Sequence, residues 1–278
     1  MLVGSPAAAR APDFVNTITS RHNPIVKRYR VVARGEARDL VLLDGAHLIE
    51  EAMRAHARFE TVAWSPRGET MAGVSHAIDE LRSSGVEIAS VADPVMDAIS
   101  PVQSASGIVA LARRPAWTLE QALEASPQMI VAAVDVQDPG NAGAIVRSAE
   151  AGGATAALFC GASADPFGWK ALRGSMGSVF RLPVVSVDAG RLLLALRASG
   201  IRVLAAVPRG GQPLFDVDLR GPAALLLGGE GPGLPDDLVA AADTKITIPM
   251  RGPVESLNVA VSAALVVYEA SRQRRTFA

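Results

Sequence analysis

Six near-continuous apolar runs dominate the second half of this chain: MIVAAVDV (129–136), ATAALFC (154–160), LPVVSV (182–187), IRVLAAV (201–207), AALLLGG (223–229) and TKITIPM (244–250). Helical patterns separate them at 141–152, 168–176, 189–199 and 235–241, and a last one follows at 256–273. A strand that is apolar on both faces has to be covered on both faces, and alternating helices supply that cover. The predicted architecture is therefore α/β, with a mostly parallel sheet between helical layers. In such sheets ligands bind just beyond the carboxyl ends of the strands. The loops that follow strands are accordingly where function is expected.

The first half carries a shorter version of the same grammar. LVLLDG (40–45), FETVAWS (59–65), GVEIASV (85–91) and SGIVALARR (106–114) read as strands, and AHLIEEAMRA (46–55) reads as a helix, which predicts a small α/β sandwich. Pro115 and Pro127 bracket a short helical pattern that suits a linker. The expected organisation is a lead over 1–13, one domain over 14–114, a linker over 115–127 and a second domain over 128–278. Arg10 and Asp13 interrupt the apolar lead, so it is not expected to be a signal peptide. Asn23-Pro24 opens a predicted helix with Ile25, Tyr29 and Val32 on its buried face. Between Arg21 and Arg38 there are six Lys/Arg against one acid, Glu36. That cluster suits either a solvated helix face or contact with a nucleic acid.

Composition removes several function classes. With 4% aromatic residues, the cores must rest on Ala, Val, Leu and Ile. A net charge of −1 gives no global basic field, so any polyanion must be held by local clusters. Cys160 is the single cysteine, which excludes an internal disulfide and suits a cytoplasmic protein. His22, His47, His56 and His76 are scattered without ligand spacing, so no metal is expected. No run approaches the roughly 18–20 apolar residues of a membrane span.

Three loops carry the functional signal. In DVQDPGNAGAIVRSAEAGGA (135–154) a strand ends, Pro139-Gly140 turns, and Asn141 is expected to cap the helix that bears Arg147. Gly143 and Ala144 keep that helix thin enough for a backbone or a ligand to approach. In LLLGGEGPGL (225–234) a buried strand ends in glycines around one acid, Glu230. Their spacing matches neither a dinucleotide fingerprint nor a phosphate loop. In TIPMRGPVESLNVAVSAALVVYEA (247–270) Ser256 is the expected cap, Asn258 stands in the first turn, and Leu257, Val261, Ala264 and Leu265 form the expected buried face.

Taken in order, NAGAIVRSA, GGEGPGL and IPMRGPVESLNVAVSAA resemble the three motifs of the SpoU (TrmH-like) RNA 2′-O-ribose methyltransferases of the SPOUT class, across about 128–272. The segments ITSRHNPIVKRYR and LVLLDGAHLIEEA are similar to the RNA substrate-binding domain that many members carry, which looks like a ribosomal-protein RNA-binding fold. The resemblance implies a deep trefoil knot in the second domain, S-adenosylmethionine as cofactor, and a homodimer. It implies cofactor contacts at Gly228, Ile248 and Leu257, with Gly229, Leu227, Met250, Ala205 and Ala206 as neighbours. Arg147 matches the family's catalytic arginine, Asn141 its orienting asparagine, Glu230 the acid of the second motif, and Ser256 and Asn258 the polar pair of the third. Arg21, Lys27, Arg28, Arg30 and Arg173 are the implied RNA contacts. Ribosomal RNA is the implied substrate; transfer RNA, or a catalytically silent RNA-binding protein on the same fold, are the alternatives. The second half contains no histidine to serve as a general base, and a guanidinium keeps its proton. The expectation for Arg147 is therefore charge stabilisation of the reacting hydroxyl oxygen.

Overall fold

A computed structural model describes residues 17–69, 73–126 and 128–274. The lead expected at 1–13 lies outside them. The first unit holds strands β1 (Leu40–Asp44), β2 (Phe59–Trp64), β3 (Glu87–Ser90) and β4 (Ile108–Arg113) in the order β1-β4-β2-β3. Its helices are α1 (Pro24–Ala33), α2 (Ala46–Arg54), α3 (Pro66–Glu69), α4 (Val74–Ser83) and α5 (Asp93–Ile99). The β2–β3 pair is parallel and the other two pairs are antiparallel. Asn23 caps α1 by accepting from Ile25 N, as its Asn-Pro start predicts. Its buried residues are Val26, Tyr29 and Val32, while Ile25 is half-buried.

The stretch expected to be a linker contains helix α6 (Leu119–Ala122), closed by a capping box between Thr118 and Gln121. Leu119 and Ala122 are buried in the core of the second unit, so this stretch is packed rather than free.

The second unit runs β5 (Met129–Val134), α7 (Pro139–Ala151), β6 (Ala156–Cys160), α8 (Trp169–Ser175), β7 (Val184–Ser186), α9 (Ala189–Ala198), β8 (Arg202–Ala206), β9 (Gln212–Pro213), β10 (Ala223–Gly228), α10 (Asp236–Ala241), β11 (Thr244–Thr247) and α11 (Val259–Arg274). Its seven strands are all parallel, in the order β7-β6-β5-β10-β8-β11-β9. β5, β6 and β10 are buried almost throughout, as their uninterrupted apolar runs demand. Register pairs Gly228 with Val134 and Val134 with Cys160, so three central strands end side by side.

Two glycines set the helix packing over this sheet. A Cβ on Gly143 would stand 2.2 Å from the Ala171 carbonyl oxygen, and Gly174 faces it with its own Cα. The thin face of α7 therefore admits the backbone of α8, and no ligand. α8 in turn packs on β1, so one continuous core joins Val41 and Leu43 of the first unit to Ala171 and Leu172 of the second. Arg181 fastens the same junction, donating to Glu51 at 3.0 Å and to Glu150 at 2.5 Å and 3.0 Å.

On an open helix surface Gly143→Ala would gain about 1 kcal/mol from propensity. Here the added methyl has backbone to displace, so we expect a loss of about 1–3 kcal/mol in chemical denaturation; an unchanged or raised midpoint would contradict this packing.

Candidate active site

The loops after β5, β10 and β11 converge at the carboxyl edge of the sheet. After β5, Asp135 takes a left-handed conformation (φ 55°) and its carboxylate accepts from Ala162 N at 2.7 Å. The chain then enters α7 earlier than the Pro-Gly pair suggested. Asp138, not Asn141, is the cap: its side chain accepts from Asn141 N at 2.8 Å, and Pro139 occupies the first turn. Asn141 is thereby released from capping, and its side chain is free to face the neighbouring loops.

After β10, GGEGPG folds back on itself, with Gly229 bridged to Gly233. A Cβ on Gly228 would lie 2.0 Å from Gly233 C, and one on Gly229 would lie 2.0 Å from Asp135 O. The two glycines thus serve close contact of the chain with itself, which presses this loop onto the end of β5 and brings Glu230 to Asn141.

After β11, the chain reaches α11 through 248–258. Asn258, not Ser256, is its cap: Asn258 Oδ1 accepts from Ala260 N at 2.9 Å and Val261 N at 3.3 Å. The buried face of α11 is Val259, Ala263, Val266, Val267 and Ala270. Val261, Leu265 and Leu257, expected inside, are exposed, and Ala264 is half-buried.

These three loops are joined by one directed chain of hydrogen bonds. Asn141 Nδ2 donates to Glu230 Oε1, and Asn258 Nδ2 donates to Asn141 Oδ1 at 2.9 Å. An ionised carboxylate can only accept, so Glu230 fixes which end of the Asn141 amide faces it. The helix N–H groups fix the Asn258 amide in the same sense. Residues 117 positions apart in sequence are locked into one orientation.

Beside this chain lies a cavity of about 430 Å³. Leu227, Gly228, Gly229, Ile248, Met250, Leu257 and Ala206, the cofactor neighbours that the resemblance implies, line it, with Glu230, Ser256 and Asn258 at its polar side. Ala205 does not line it, because its side chain is buried within β8. Val207, Gly231 and Val259, within the loops around 205–207, 228–231 and 248–259 that the resemblance implies for the pocket, line it as well, and so do Pro208, Gly233, Ile246 and Ser262, which lie outside them. The direct extension of β8 past Val207 could have signalled Pro208; the sequence holds no signal for Ser262, which depends on how α11 is rotated. Apolar Leu227, Ile248 and Met250 with exposed loop backbone suit a flat heterocycle attached to polar groups, and the volume falls within the roughly 300–1,000 Å³ of small-ligand sites. The residues present therefore fit a nucleoside-type cofactor.

Arg147 stands exposed on α7, six residues beyond Asn141 and outside the cavity lining. Arg173 is exposed on α8, the helix against which α7 packs. In the first unit Arg21 donates to Pro94 O at 3.1 Å, Arg30 to Ala98 O at 2.9 Å, and Arg28 pairs with Glu60 at 3.0 Å. Lys27 is exposed on the same helix. Cys160, at the end of β6, is no nucleophile: burial, then the nearby Asp188 and Asp135 carboxylates, push its thiol up to about 12. Among the described residues no cluster of His, Cys, Asp or Glu could hold a metal ion, and no helix is long and apolar enough to cross a membrane.

Comparison with known proteins gives a consistent result. The SpoU rRNA Methylase family model matches residues 128–268. An uncharacterised tRNA/rRNA methyltransferase of Synechocystis is 30% identical over 94% of this chain and 95% of its own length. The 23S rRNA (guanosine(2553)-2′-O)-methyltransferase RlmP of Bacillus subtilis is 30% identical over 90% of this chain and 97% of its own. Among solved structures, the SpoU methyltransferase AviRb of Streptomyces viridochromogenes, in complex with AdoMet, superimposes with a TM-score of 0.81 at 28% identity, over 92% of this chain and 100% of that one.

The Glu230–Asn141–Asn258 chain predicts a graded response. Glu230→Gln keeps an acceptor for the Asn141 amide, so cofactor binding in calorimetry should stay within about threefold. Glu230→Ala removes the acceptor and frees the solvent-accessible amide to reverse; losing one hydrogen bond to a charged group, about 1.5 kcal/mol, should weaken binding about tenfold. Equal affinity for the two variants would remove this chain from the site's support.

Proposed function

This chain belongs to the SpoU rRNA methylase family, and from that premise we propose that it transfers the methyl group of S-adenosylmethionine to a ribose 2′-hydroxyl of structured ribosomal RNA. The observation that carries the reading is the convergence of the three motif loops, through Asn141, Glu230 and Asn258, on one cavity of cofactor size. The 23S rRNA 2′-O-methyltransferase names of its relatives support ribosomal over transfer RNA as the substrate class.

When bound, S-adenosylmethionine supplies an electrophilic sulfonium methyl. The fold-back loop 228–233 and Ile248, Met250 and Leu257 would hold it. Apolar walls at Leu227 and Ile248 exclude water, which strengthens every fixed dipole nearby. Asn258 presents an amide whose orientation Asn141 fixes, and Ser256 adds a hydroxyl at the polar side. A ribose hydroxyl is a weak nucleophile, so aligning it saves several kcal/mol of ordering. Arg147 stabilises the negative charge that grows on that oxygen, with its proton passing to a phosphate or to water. Lys27, Arg21, Arg28 and Arg30 on or beside α1, and Arg173 on α8, provide cations for RNA phosphates. The four-stranded unit is the substrate-binding domain in this reading and the seven-stranded unit the catalytic one, joined at 115–127; the cytoplasm is where both would meet RNA.

The family's knot belongs to the same reading: the segment 248–258 returns the chain from the sheet edge so that α11 packs on α7. So does a homodimer. Val254, Leu257, Val261, Leu265 and Tyr268 are 53%, 36%, 47%, 39% and 44% exposed; Val261, Leu265 and Tyr268 recur at helical spacing as an apolar stripe on α11, and Leu257, just before it, lines the cavity. A self-complementary contact between two copies of α11 covers such a stripe.

Arg147→Lys should lower turnover on ribosomal RNA at least a hundredfold with cofactor affinity unchanged; near-normal turnover would remove Arg147 from the chemistry. Leu265→Asp places a charge in the middle of the stripe and should halve the mass seen by sedimentation, whereas an unchanged mass would exclude this face as the contact.

A further inference from the structure

A second cleft, of about 420 Å³, opens where the two units meet, on residues the active site does not use. One wall comes from the first unit and the linker: Arg38, Arg113, Arg114 and Trp117. The other comes from Phe167 and β7. Among the described residues β7 is an outermost strand that pairs only with β6, so its far side offers backbone groups that no described sheet partner uses.

The side chains of this cleft are in different states of engagement. Arg113 is committed to Asp39 at 2.6 Å and Glu60 at 2.7 Å. Arg114 pairs with Asp165 at 3.1 Å while its guanidinium lies over the Phe167 ring, 4.1 Å from the centroid. That leaves a flat cationic plate supported from beneath. Arg38 is exposed and has neither an ion pair nor a hydrogen bond among the described residues, so its charge is available. Trp117 Nε1 is buried and, among the described residues, without an acceptor. A buried indole N–H left unpaired is costly, and a small turn of the ring toward the cleft would let a ligand oxygen or ring nitrogen satisfy it.

The geometry points to a subsite for one unstacked nucleotide of RNA in this cleft. Arg38 takes its phosphate, the Arg114 plate takes the face of its base, and Trp117 Nε1 donates to an acceptor on the base edge. Single-stranded RNA is recognised by this combination of a cation for the backbone and planar groups for splayed-out bases. The cleft would hold a part of the RNA away from the nucleotide undergoing reaction. The assignment rests on the reading of the protein as an RNA-directed enzyme, and adds to it a second point of grip.

The test titrates a fluorescein-labelled single-stranded RNA of roughly 12 nucleotides, close to the span of such sites, into the full chain at several salt concentrations. Arg38→Ala should bind it about tenfold more weakly, with the slope of log K against log salt shallower by about 0.7, the signature of one lost phosphate contact on a single strand. Trp117→Phe keeps a planar ring and loses only the donor; about threefold weaker binding at an unchanged slope is expected. Both variants should bind S-adenosylmethionine as the unaltered protein does. Wild-type affinity and slope in Arg38→Ala, or no binding of the oligonucleotide by the unaltered chain, would overturn the subsite. Methyl transfer to ribosomal RNA is measured alongside. Transfer that persists with an unchanged KM in both variants sinks the subsite and spares the proposed activity. Oligonucleotide binding that depends on Arg38 in a protein without transfer does the reverse.

Discussion

The site depends on the direction of two amide groups. Asn141 and Asn258 each carry a donor and an acceptor at nearly the same position, and either could be reversed at little steric cost. Glu230 removes that freedom from one end and the first N–H groups of α11 remove it from the other. Glu230 reaches Asn141 only because Gly229 lets its loop lie against the backbone of Asp135, and Asn141 is available only because Asp138 takes over the capping of α7. Local backbone chemistry at three strand ends is thus converted into a polar surface of fixed polarity beside an apolar cavity.

This division explains which parts of the molecule were legible beforehand. β5, β6 and β10 are apolar on both faces, and such strands have one place to go, the middle of a covered sheet. Their existence and the loops that follow them were therefore readable, though their order in the sheet was not. The short helices α3, α4 and α5 were not, since they are brief amphipathic pieces among loops and carry no cap that stands out; α4 begins after Gly73 with no side-chain cap. The start of α7 was displaced because Pro139-Gly140 resembles a turn, whereas proline is equally at home in the first turn of a helix. The rotation of α11 is hidden for a different reason. This helix is apolar nearly all round, so periodicity does not choose a face, and its larger residues Val261 and Leu265, with Leu257 before it, point to the wrong one. The buried face is instead the one with Ala263 and Ala270, whose small side chains let α11 come close to α7 and the sheet.

The candidate site was legible as residue types and only partly as contacts. Asn141, Glu230 and Asn258 could be singled out separately, but a chain of hydrogen bonds spanning 89 and 117 positions is a property of the assembled strand ends. Ser262 in the cavity wall and Trp117 in the second cleft each depend on how an element is turned against its neighbour. Single-sequence patterns do not carry that information.

The shared core beneath β1 and α8 has a consequence for how a large polymer is measured. Because Val41 and Leu43 sit in the same apolar mass as Ala171 and Leu172, and Arg181 straddles the seam, swinging the four-stranded unit away from the seven-stranded one would expose that shared core and break those ion pairs. In the proposed reading, the basic residues of α1 and the cavity beside Asn258 then stand at a set span. A polymer gripped at both points would be gauged as by a caliper, and the nucleotide brought to the reactive end would be chosen by its distance along the folded strand.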